Sequence, residues 1–312
     1  MRIYYNPKMA PADAKGNFSK SPSKPRRFVE FLRSTPMWEH VQIVGDFAPV
    51  TRDLLRTAHT EDYVDSFLTG KGDLCESSGL AWSPEFRDSV LLTNGALLAA
   101  VKDAVTNKTV TMAPVSGFHH AQPRQGNGFC TFSGQVIAAL HLYRSKGLRG
   151  AWIDLDGHFG NSIEDSRKVI FDLNEAIPLG FNINPIGTHE KYLADLRVKV
   201  ALLDRAITTG KIDYVCFAHG ADSHEWDDLG AQCTTAEWLE ASRIVYDMLS
   251  RHPQLPVTLA LFGGYRDDHP ESVLGLHAMD LGICLRSMFG TQIDYDAEVR
   301  KPLLRSEEVV YG

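Results

Sequence analysis

Ala151-Trp152-Ile153-Asp154-Leu155-Asp156-Gly157-His158 begins as an apolar strand and ends in two aspartates and a histidine spaced two residues apart. In an extended chain, residues two apart share a face. Asp154, Asp156 and His158 therefore start on one side of a segment that otherwise reads as buried. A bound metal accounts for them, because carboxylate oxygen and imidazole nitrogen suit a borderline divalent ion such as zinc, and a catalytic zinc keeps three protein ligands and one open position. The plainer reading makes Asp154 and Asp156 loop carboxylates that cap a helix beginning near Asn161, with His158 merely hydrogen-bonded.

Similar apolar runs recur at Arg2 to Tyr5, Val41 to Val44, Thr109 to Met112, Lys168 to Leu173, Tyr214 to Ala218 and Val257 to Phe262. Helical patterns over 83–106, 133–146, 190–209 and 235–251 separate several of them. This alternation predicts an α/β fold with an open, mostly parallel sheet and helices on both faces. A chain of 312 residues with 44% hydrophobic content can bury a large core, and one domain over 1–312 is expected, since α/β units reach this size. Ligands in such folds bind beyond the carboxyl ends of the strands. The polar clusters fall there: Gly117-Phe-His119-His120, the Asp154 to His158 run, His219-Gly-Ala-Asp222-Ser-His224 and Gly263-Gly264-Tyr265.

A net charge of −7 argues against a nucleic-acid partner. Five scattered cysteines, odd in number and without a C-x-x-C pair, fit reduced thiols. The first residues lack the apolar region of a signal peptide, and no stretch approaches a membrane span, so a cytoplasmic protein with no membrane partner is expected. Pro7 to Pro25, rich in Lys, Ser and Pro, reads as a surface loop, and Asp227-Asp228 as another solvated stretch. A homo-oligomer is compatible with all of this.

Taken together and in order, Gly117-Phe-His119-His120-Ala, Gly128-Phe129-Cys130, Asp154-x-Asp156-x-His158-x-Gly160-Asn161, Gly220-Ala-Asp222 and Gly263-Gly264-Tyr265 resemble the zinc-dependent histone deacetylase superfamily. The resemblance runs from His59 to about Asp280. Asn161, where some members carry Asp, makes the chain similar to the class II and bacterial branch, which includes acetylpolyamine amidohydrolases. An arginase/deacetylase-like fold is implied, with Asp156, His158 and Asp222 holding Zn2+, or Fe2+ or Co2+ in its place. His120 is then the general base and acid, exchanging a proton near pH 7, and His119 is chiefly electrostatic. Asp154 and Asn161 are the hydrogen-bonding partners behind this pair, and Tyr265 donates to the oxyanion.

The implied activity is removal of an acyl group, acetyl by the resemblance, from an N-acylated lysine or amine. Gly128 and Phe129 resemble part of the substrate tunnel, whereas Gly180-Phe181-Asn-Ile-Asn-Pro185 departs from the pattern of the opposing wall. Leu229 stands where polyamine-selective relatives can carry a glutamate, and a neutral side chain there suits an uncharged or protein-borne acyl-lysine. The alternatives are a deacetylase of acetylpolyamine or another small N-acyl amine, and a catalytically silent relative that only binds. A potassium ion is implied at the carbonyls of Asp154, Asp156 and His158, with Asp172 near it. Arg27 aligns with an arginine of the family's product channel. His219 and His224 are expected to be structural.

Overall fold

A computed structural model of the chain describes residues 1–11, 19, 21–266 and 270–293; part of the Pro7 to Pro25 stretch lies outside these. The described residues form one seven-stranded sheet of order β2-β1-β3-β7-β6-β4-β5. Its strands are β1 (Arg2–Tyr4), β2 (Gln42–Val44), β3 (Val110–Met112), β4 (Gly150–Asp154), β5 (Asn182–Ile183), β6 (Tyr214–Ala218) and β7 (Val257–Ala260). Every pairing is parallel, so all the strands end at one edge. β3, β4, β6 and β7 are buried along their whole length, as continuous apolar runs in a covered parallel sheet should be.

The helices are α1 (Lys24–Leu32), α2 (Arg52–Leu55), α3 (Glu61–Thr69), α4 (Pro84–Asn107), α5 (Gly134–Lys146), α6 (Ser162–Arg167), α7 (Leu173–Ala176), α8 (His189–Thr208), α9 (Thr235–Ser250) and α10 (Pro270–Phe289). α4 packs on β1, β3, β7 and α5, while α9 packs between α8 and α10. Their boundaries follow local chemistry. Ser133 Oγ accepts from Val136 N at the start of α5, and Gly147 ends it at φ +68°. Thr234 and Glu237 form a reciprocal capping box at the start of α9.

One expected strand is corrected. Lys168 to Leu173 is not a strand: the backbone closes on itself, with Ile170 N donating to Ser166 O and Ala176 N to Asp172 O, and Phe171 is 83% exposed. A short apolar run does not by periodicity alone distinguish strand from helical turn. The strand actually beside β4 is β5, two residues that pair Asn182 with Trp152 and Ile183 with Ile153. No helix among the described residues is long and apolar enough to cross a membrane, and all five cysteines are buried and unpaired.

Candidate active site

The site rises from the carboxyl ends of β3, β7, β6 and β4, which are consecutive in the sheet. β4 delivers Asp154 at its last position and Asp156 just beyond; β6 delivers Asp222 through a short turn, Ala221–Ser223. Ligand-type atoms of Asp156, His158 and Asp222 all lie within 4.8 Å of one another. His158 Nδ1 is 3.1 Å from Asp156 Oδ1 and 3.0 Å from Asp222 Oδ2. The helix-capping alternative does not hold, because Asn161 is the N-cap of α6 and neither it nor the two aspartates caps that helix by a side-chain bond.

Asp156 and Asp222 are both buried, and two close carboxylates out of water repel. Burial and the neighbouring Asp156 accordingly push the Asp222 carboxyl up to about 7. Hydrogen bonds to Asp156 and Asp222 raise His158 to about 10, so in the metal-free chain an imidazolium supplies positive charge between them. A donor set of two carboxylate oxygens and one imidazole nitrogen, each turned toward the others, fits a divalent cation. Backbone amides fix the carboxylates: Gly157 N donates to Asp222 Oδ1 at 2.9 Å and Gly263 N to Asp156 Oδ2 at 2.8 Å. Position 263 must be glycine, since a Cβ there would stand 2.3 Å from the Asp222 carboxylate.

Beside this cluster stand two histidines with ring centres 4.1 Å apart. His119 Nδ1 donates to Asp154 Oδ2 at 2.9 Å, and His120 Nδ1 donates to Asn161 Oδ1 at 2.7 Å. Asn161 passes its own amide hydrogen to Asp165 Oδ2. Burial disfavours the His119 imidazolium, but Asp156 and Asp154 outweigh it and raise that residue to about 9. Burial, and then the His119 charge, push His120 down to about 4. That is lower than the near-neutral exchange expected from an amide partner alone: His120 is neutral at pH 7, with Nε2 carrying the lone pair. Gly128, at φ +50°, lays its backbone on this ring, where a Cβ would come within 2.7 Å of His120 Cδ2.

Tyr265 lies across the cluster, its ring centre 6.3 Å from His158 and 6.0 Å from Phe129. Burial, then Asp156 and Asp222, raise its phenol far above the usual range, so it remains a hydrogen-bond donor. Asp227 is buried and holds the backbone beside it, Oδ2 accepting from Tyr265 N at 2.8 Å and from Arg266 N at 3.2 Å. This corrects the expectation that Asp227 is solvated. Lys24 is a second correction. Within the stretch read as a surface loop, it is 3% exposed, and its Nζ donates to Phe262 O at 2.5 Å. Burial pushes its ammonium down to about 8, against the attraction of Asp222, Asp156 and Asp227. Lys24 shares one buried stripe of α1 with Phe28 and Leu32.

Other candidates sit elsewhere. Asp172 does not reach the site; it is at the surface, paired in a fork with Arg144 at 2.7 and 3.0 Å, so its carboxylate is committed to a guanidinium rather than to a potassium ion. Phe181 packs against the core and gives its carbonyl to Trp152 N. Leu229 is 39% exposed and follows Asp227 in a turn closed by Leu229 N and Asp227 Oδ1. Arg27 is half-buried on α1. His219 is buried, stacked on Trp238 at 3.6 Å, and its Nδ1 lies 3.2 Å from Asp280 Oδ1. His224 Nε2 bonds Thr235 Oγ1 at 2.8 Å.

The histone deacetylase domain family model matches residues 19–170, a span that holds both histidines, Phe129 and the Asp154 to Asn161 run. A relative named histone deacetylase 8, from Arabidopsis thaliana, is 26% identical over 298 residues, covering 83% of this chain and 76% of its own length. The acetoin utilization protein AcuC of Staphylococcus aureus is 24% identical over 252 residues, covering 69% of this chain and 64% of its own. In three dimensions the chain is similar over its whole length to the solved HD domain of HDA15, with a TM-score of 0.69 at 17% identity, covering 98% of that domain. The chain is thus similar to the histone deacetylase domain over residues 19–170 and to histone deacetylase relatives over most of its length, and it shares their fold.

Proposed function

We propose that this protein is a divalent-metal-dependent amidohydrolase that removes an acyl group, acetyl in the simplest case, from an N-acylated lysine or amine. Similarity to the histone deacetylase domain over residues 19–170 supports amide hydrolysis. The observation that carries the finer reading is the convergence of Asp156, His158 and Asp222 within 4.8 Å, with a neutral histidine on one side and a phenol on the other. Asp156, His158 and Asp222 would hold Zn2+, or Fe2+ or Co2+, and the ion when bound supplies Lewis acidity that polarises the amide carbonyl and activates water.

The chain's own groups do the rest. His120, neutral and with Nδ1 engaged by Asn161, takes a proton at Nε2 and returns it to the departing amine. His119, held as an imidazolium against Asp154, keeps positive charge beside the reacting atoms. Tyr265 donates its phenolic hydrogen to the carbonyl oxygen as negative charge gathers there. Phe129 offers an aromatic wall to a slim aliphatic chain, and the neutral Leu229 favours acyl-lysine over a polycation.

Purified protein should contain one equivalent of divalent metal, lose turnover to a chelator, regain it on adding zinc, cobalt or iron(II), and cleave an acetyl-lysine peptide faster than N-acetylputrescine. The reverse preference would shift the substrate to small amines. Absence of turnover on any member of an acyl-amide panel, with metal bound, would overturn the hydrolytic reading in favour of a silent binding relative.

A further inference from the structure

One peptide unit, joining Phe262 to Gly263, is gripped at both ends. Its N–H donates to Asp156 Oδ2 at 2.8 Å, and its carbonyl accepts from Lys24 Nζ at 2.5 Å, from a residue 238 positions away in the chain. The surrounding backbone hydrogens are spoken for. Leu261 N and Phe262 N both donate to Val115 O, and Tyr265 N donates to Asp227 Oδ2. Phe262 itself is a non-glycine residue at φ +60°, a conformation that persists only when its surroundings impose it. Glycine on the far side of the peptide removes the usual steric barrier to its rotation.

Fully buried lysine is uncommon, and taking an ammonium out of water is costly. An apolar residue would complete the Phe28 and Leu32 stripe at less cost, so the ammonium calls for a purpose other than packing. Its Nζ stands 5.8 Å from the centre of the Tyr265 ring. We propose that Lys24 is a positioning residue that locks the Phe262–Gly263 peptide, holding the Gly263 amide on Asp156 and the Tyr265 phenol over the site. Rotation of that peptide would withdraw the amide from Asp156 and displace the phenol.

This inference rests on the oxyanion role proposed for Tyr265, and its test separates the two. Lys24→Met keeps the aliphatic stem and removes the donor; Lys24→Arg keeps a donor. Lys24→Met should lower kcat about tenfold or more with little change in KM, speed hydrogen exchange at the Gly263 amide, and cost far less in a Tyr265→Phe background. Lys24→Arg should recover much of the rate and of the amide protection, and carries the same measurements if the methionine variant does not fold. Full kcat in Lys24→Met, an equal loss in the Tyr265→Phe background, or unchanged Gly263 exchange would overturn the lock. If Tyr265→Phe itself kept full rate, the functional reading would fail, and Gly263 exchange alone would decide the peptide lock.

Discussion

At the ends of β4 and β6 the ladder sets Asp154 opposite Ala218, and the metal-type carboxylates follow within a few residues of that register. Beyond β7 the ladder does not reach Tyr265. The 261–266 segment is held instead by Val115, Lys24, Asp156 and Asp227, from distant parts of the chain. The floor of the site thus takes its geometry from the sheet, and the wall borrows its geometry from side chains. Charge-bearing groups that tolerate little displacement stand where register is tightest, while the phenol depends on clamps that can be removed one at a time.

Breaking the floor should have the largest effect. Asp222→Ala removes one of three ligand-type groups, so the purified variant should lack stoichiometric metal and turnover together, as metal analysis and an acetyl-lysine assay would reveal. Breaking the wall should separate those properties. Tyr265→Phe should retain metal and melting temperature but lose about 10²-fold or more in kcat, the usual cost of one preorganised oxyanion donor. A Tyr265→Phe enzyme at full rate would remove the phenol from the mechanism.

The same contrast explains what the sequence made legible. Strand-end residues were readable because a fixed register ties position to place: β6 has the predicted bounds, and Asp156, His158 and Asp222, each just beyond a predicted strand, lie within 4.8 Å of one another. The wall was readable only in Tyr265. Its supports, Lys24 and Asp227, looked like solvent-facing charges because what buries them lies far away in the chain, and no local pattern records a contact across 238 residues. β5 escaped for a different reason: two residues of an edge strand, one of them Asn, carry almost no β signal. Lys168 to Leu173 misled in the opposite sense, being apolar enough for a strand yet closed by local turns.

A subtler change to the floor keeps its shape and alters its charge. Asp154→Asn leaves an acceptor for His119 Nδ1 but removes one of the carboxylates that hold the imidazolium, so the His119 pKa should fall from about 9 in the metal-free protein, as imidazole NMR titration would measure. The sign matters. A raised histidine pKa contributes stability that is present below the unfolded value near 6.5 and is lost as pH rises through the folded value, so the metal-free wild type should lose more stability between pH 7 and pH 10 than Asp154→Asn does. Turnover should fall less than in Tyr265→Phe. An unshifted His119 would mean that Asp154 is not its controlling partner.

The smallest effect should come from behind the 122–133 loop, which follows His120 and carries Phe129. His59 Nδ1 donates to Gln122 O at 2.9 Å, and its Nε2 accepts from Ser133 N at 2.9 Å, tying both ends of that loop through a neutral ring. Burial pushes His59 down to about 4, whereas an unfolded imidazole titrates near 6.5. The unfolded chain therefore binds a proton that the folded one refuses. Stability supplied by His59 is complete above pH 6.5 and declines as pH falls toward 4, by up to about 3 kcal/mol at roughly 1.4 kcal/mol per pH unit. His59→Gln offers one donor and one acceptor without titrating, so denaturant midpoints at pH 7 and pH 5 should differ less than in the wild type. Equal drops in both proteins would move the acid sensitivity to other groups and leave His59 a clamp without a proton-linked cost.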